Sequence, residues 1–93
     1  MNINLEQTIL RNLLTNDEYM RKVGAFLSPD YFQGVYKGLF KEVTKFVAEY
    51  NKLPTLEAFK IEIDQNNRLS EEDYRSSIDL LPDLFTPEPE NLE

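Results

Sequence analysis

The stretch Val35-Tyr36-Lys37-Gly38-Leu39-Phe40-Lys41-Glu42-Val43-Thr44-Lys45-Phe46-Val47-Ala48-Glu49-Tyr50 decides the fold. Its apolar residues Val35, Tyr36, Leu39, Phe40, Val43, Phe46, Val47 and Tyr50 keep a helical period over about four turns, which predicts one long helix with a wide apolar face. A face that wide must be covered by other helices, so this is expected to be the central element. Gly34 and Gly38 lie early in the run. Each costs up to ~1 kcal/mol against alanine in a helix interior, and close approach by a neighbouring helix is the expected compensation. Lys37, Lys41 and Lys45 recur every four residues opposite the apolar face and form a basic ridge.

Upstream, Asn4 with Gln7 three residues later has the form of a capping box, and Leu5, Ile9, Leu10, Leu13 and Leu14 share one stripe, predicting a helix over 5–14. Thr15 with Glu18 offers a second box, followed by Tyr19, Met20, Val23, Phe26 and Leu27 at helical spacing, so a second helix is expected over about 16–26. Ser28-Pro29-Asp30 pairs a cap residue with proline at the first position, which suits a single turn delivering Tyr31 and Phe32 inward.

Downstream, Asn51-Lys52-Leu53-Pro54 should end the long helix, because the residue before proline is pushed out of the helical region. Thr55 then caps a fourth helix whose inward stripe is Leu56, Phe59 and Ile63. Ser70 followed by Glu71, Glu72 and Asp73 starts a fifth, because a hydroxyl cap and carboxylates both suit the positive end of a helix. This helix is expected to bury Tyr74, Ile78, Leu81 and Phe85, with Pro82 kinking or ending it near Leu81. Residues 86–93 read as a polar, proline-spaced disordered tail whose closing Leu92-Glu93 has the form of a vector remnant. The expected fold is thus all-α, a compact orthogonal bundle of about five helices over residues 1–85, with no strand pattern and no repeat.

Composition narrows the chemistry. The 93 residues include no cysteine and no histidine, which removes disulfides, thiolate ligands and imidazole bases, and fits a reducing compartment. Neither a signal peptide nor a membrane-length apolar run is present, so a cytoplasmic location is expected. The net charge of −7 disfavours non-specific binding to phosphate backbones, and little direct contact with nucleic acid is expected. That charge is polarised: residues 1–46 carry six basic and five acidic side chains, residues 47–93 four basic and twelve acidic. Such polarity can align neighbouring subunits head to tail, although a solvated acidic half is the plainer account.

The phosphate-loop pattern G-x-x-x-x-G-K-[ST] is absent, and the acidic groups Glu62-Asp64 and Glu71-Glu72-Asp73 lack the alternation and turn glycine of a calcium loop. They read as caps and solvated faces. No catalytic, cofactor or metal residue is assigned, and no catalysis is expected of this segment. The candidate interface consists of Lys37, Lys41 and Lys45, able to meet an acidic partner surface, with Tyr31, Phe32 and Tyr36 as aromatic anchors. For both groups the ordinary alternatives are a solvated face and core packing.

Taken in order, Leu5-Glu6-Gln7-Thr8-Ile9-Leu10, Leu13-Leu14, Leu27-Ser28-Pro29-Asp30-Tyr31-Phe32 and Leu39-Phe40 resemble the N-terminal domain of DnaB-type replicative DNA helicases. Residues 47–59, VAEYNKLPTLEAF, and Leu69-Ser70-Glu71-Glu72-Asp73-Tyr74 are similar to the T-even bacteriophage branch. The resemblance implies a collar domain that helps to organise a dimer or hexamer of helicase subunits and receives primase or a helicase loader. It places ATP and magnesium in a C-terminal motor domain outside this segment, and expects a helical hairpin after it. A helicase-binding domain of a primase and a small phage adaptor are the alternative readings.

Overall fold

Thr55 and Ser70 cap helices as their side-chain oxygens should, accepting from the backbone N–H of Ala58 at 3.1 Å and of Asp73 at 3.0 Å. In the computed structural model, which describes residues 3–66 and 69–86, they open two of five α-helices. These are α1 (Ile3–Thr15), α2 (Asp17–Val23), α3 (Val35–Tyr50), α4 (Leu56–Asp64) and α5 (Glu71–Leu84). Short 3-10 turns occupy Gly24–Phe26 and Pro29–Tyr31. The fold is all-α, with no strand among the described residues. Most of the expected tail, residues 87–93, lies outside them.

Several boundaries differ from expectation for local reasons. Asn4 lies within α1 rather than ahead of it. At the next junction the cap of α2 is Asn16, which accepts from Tyr19 N–H at 3.0 Å, whereas the Thr15 hydroxyl donates back to the Arg11 carbonyl at 2.7 Å. Threonine in a last turn bonds backwards readily, and asparagine is the stronger cap. Helix α2 ends at Val23, and the 3-10 turn that follows leaves Phe26 80% exposed instead of inward. Helix α3 stops before the proline effect can act: Asn51 takes the left-handed conformation at φ 58° and its N–H closes on Val47 O at 2.7 Å. Pro82 does not end α5 at Leu81: the helix runs on to Leu84, with Pro82 in its final turn, where the missing N–H costs one intrahelical bond. Phe85 N–H to Leu81 O and Thr86 Oγ1 to Pro82 O complete that end.

The core draws Leu10, Leu13 and Leu14 from α1, Leu39, Phe40 and Val43 from α3, Phe59 and Ile63 from α4, and Leu81 and Leu84 from α5. Each such side chain contributes ~1.5–3 kcal/mol on burial. The inward line of α5 is Ser77, Leu81 and Leu84, so Tyr74, Ile78 and Phe85 pack only at its margin. Helix α1 contacts α2, α3 and α5, and α4 lies against α5 and α3. Across 72 positions of sequence, Arg11 Nε donates to the Asp83 carbonyl at 3.3 Å and joins α1 to α5.

Candidate functional site

The basic ridge of α3 divides. Lys37 leans toward the 3-10 turn at Pro29–Tyr31, with Nζ 3.8 Å from an Asp30 carboxylate oxygen. Lys41 and Lys45 are exposed, have no ion-pair partner among the described residues, and border a groove that separates α3 from α4 and the segment after it. This groove encloses about 720 Å³ and is lined also by Gly38, Glu42, Glu62 and Asn66. Its positive rim therefore faces acidic and amide groups, an arrangement suited to holding charged groups of a partner.

Glu42 forms the inner part of this site. Although charged, it is only 7% exposed, because it follows Leu39 by three residues and shares the inward face of α3 with Leu39, Val43 and Phe46. Its Oε2 accepts a hydrogen bond from Asn66 Nδ2, whereas its buried Oε1 has no partner among the described residues. Gly38 stands one turn earlier on the same helix. A Cβ there would meet nothing within 4 Å, so the helix approach expected at this glycine does not occur and open groove takes its place. Gly34 does have a backbone role: it caps α3 at φ 58°, ψ −132°, a conformation essentially reserved for glycine.

The aromatic candidates separate likewise. Tyr31 is 51% exposed and available at the surface. Phe32, at 1% exposure, stacks on Phe40 with ring centroids 4.8 Å apart, so it belongs to the core and offers no surface anchor. Tyr36 is half-buried, and burial, then the nearby negative charge of Glu6, raises its phenol above the ordinary value. Glu6 itself is buried in α1, and its Oε1 accepts from Gln33 N–H at 3.1 Å, tying α1 to the chain just before α3. On the outer side of α4, Tyr74 OH donates to Asp64 Oδ1 at 3.0 Å, and that bond raises the Tyr74 phenol.

Two surface features were absent from the sequence reading. Phe26 is exposed, and the two residues before it, Gly24 and Ala25, line a shallow depression of about 370 Å³ together with Met20, Val47 and Ala48 and the polar Arg21 and Thr44. Leu5 and Ile61 are also exposed, although each occurs in an amphipathic helix. Among the described residues no group of three or more carboxylates could hold a metal ion, and no helix is long and apolar enough to cross a membrane.

No protein-family model matches this chain, and no solved structure does. A curated protein of Enterobacteria phage T4, described as a DnaB-like replicative helicase, is 28% identical to it over 86 residues. The matched region is 91% of this chain and 18% of the phage protein, so the chain spans less than a fifth of its relative's length. This likeness is a distant link between the chain and a phage replicative helicase.

Proposed function

We propose that this chain is the N-terminal assembly and partner-binding domain of a phage replicative DNA helicase, where it organises the subunits and the contact with primase or loader. The observation that carries the reading is the likeness to the phage T4 helicase across 91% of this chain, confined to 18% of the larger protein. A small bundle with charged and aromatic surface features suits a platform between subunits. In this reading ATP and magnesium are bound by a motor domain elsewhere in the parent protein, and the segment performs no catalysis.

Two experiments test it. The gene downstream of these codons should encode a motor domain bearing G-x-x-x-x-G-K-[ST]; a stop codon directly after them would overturn the reading. Sedimentation of the parent protein should show subunit assembly that weakens when this domain carries Lys37→Glu and Lys41→Glu. Unchanged assembly at both low and high salt would remove the ridge from the interface.

A further inference from the structure

Glu42 and Gly38 are hard to explain as parts of a self-contained bundle. A buried carboxylate oxygen ordinarily has a hydrogen-bond donor, and each exception calls for a physical reason. Glu42 uses one oxygen on Asn66 and leaves Oε1 without a donor among the described residues. A glycine inside a helix ordinarily allows a neighbour to approach, yet beyond its flanking residues and the helix's own backbone nothing stands within 4 Å of the position a Cβ would take at Gly38. Both residues line the same groove, whose rim carries Lys41 and Lys45, neither of which has an ion-pair partner among the described residues.

We propose that this groove receives an arginine side chain from a protein segment whose neighbouring residues are acidic, with the guanidinium donating to Glu42 Oε1 and the acidic neighbours meeting Lys41 and Lys45. Each element of the site has a share in that recognition. A guanidinium supplies several N–H donors in one plane, so it can satisfy Oε1 while leaving the Asn66 bond to Oε2 in place. The two lysines oppose the approach of a purely basic peptide, and Glu42 with Glu62 opposes a purely acidic one, so the groove selects mixed charge. The missing side chain at Gly38 leaves room for the stem of the incoming residue. A nucleotide is the competing ligand, since phosphate suits lysine and an exocyclic amine suits a carboxylate. None of the groove-lining residues is aromatic, however, so a base would find no ring on which to stack. The proposal does not depend on the helicase reading.

The test is a titration of the 93-residue chain, followed by amide NMR, with acetyl-Glu-Arg-Glu-amide and with the same peptide carrying citrulline, which keeps the shape of arginine without its charge. The arginine peptide should give saturable shifts at Gly38, Glu42 and Asn66 and bind about tenfold more tightly than the citrulline peptide. Glu42→Gln should abolish that preference. Gly38→Leu should weaken both peptides by filling the groove from the helix side. Equal binding of the two peptides to the native chain would overturn the proposal even if every variant failed to fold. So would a preference for arginine that survives Glu42→Gln, or guanosine monophosphate shifting the same amides at lower concentration than the peptide.

Discussion

Glu6 and Glu42 are both buried glutamates, and each lies near a glycine of one short stretch, yet the two regions are built differently. At the junction of α1 with the start of α3, Glu6 accepts the Gln33 N–H and Gly34 adopts a positive φ that the turn requires. In the groove, Glu42 keeps one oxygen without a donor among the described residues and Gly38 has ordinary helical surroundings with empty space beyond it. The first pair is accounted for by the fold itself. The second is only half accounted for within the described residues, by the Asn66 bond to Glu42 Oε2, which is the pattern of a surface shaped for something else.

The same substitution at both sites should therefore give opposite signs. Glu6→Met keeps the buried volume but deletes a charge-assisted bond across the α1–α3 junction, and should lower the unfolding free energy by about 2–3 kcal/mol in urea titrations. A loss near zero would erase the distinction between the regions. Gly34→Ala should cost about 2 kcal/mol, because alanine is strained at that φ and ψ. Glu42→Met should raise stability by about 1 kcal/mol, since the cost of burying a half-satisfied carboxylate disappears. Gly38→Ala should add about 0.5–1 kcal/mol through helix propensity, because its methyl group enters open space. Destabilisation by either groove variant would mean that the groove is structural after all.

The smallest effect lies at alkaline pH. The Tyr36 phenol is raised in the folded state by burial and by Glu6, so the fold favours its neutral form. Its contribution is complete below the ordinary phenol value of 10.0 and is lost as pH rises from there through the folded value. Tyr36→Phe should make the decline of stability above that pH shallower, as read from urea midpoints. If Glu6→Met leaves the alkaline slope unchanged, the charge at the junction does not reach Tyr36.

These contrasts also show what a linear reading can reach. The long helix, the caps at Thr55 and Ser70 and the lysine ridge are legible because they depend on neighbours within four residues. The apolar stripe of α1 points to Leu5, yet Glu6 is the buried residue, standing four and seven residues before the buried Leu10 and Leu13. Glu42 occupies a comparable inward position between Leu39 and Val43. A charged residue inside an apolar line was thus the available signal at both sites. The groove was not available in that way, because its far wall comes from Glu62 and Asn66, some twenty positions along the chain. The exposure of Phe26 depends on the switch from α-helix to 3-10 turn after Val23, a change too local for periodicity to resolve.

The clasp between Arg11 and the Asp83 carbonyl has a consequence for how the molecule is made. Helix α1 takes part of its final cover from the last helix, 72 positions later. At ribosomal speeds of ~5–20 residues per second, about 4–14 s separate the synthesis of these two partners. For that interval the leucine face of α1 can be covered only by α2 and α3, its other native neighbours. The native cover of α1 is therefore complete only once α5 has been synthesised.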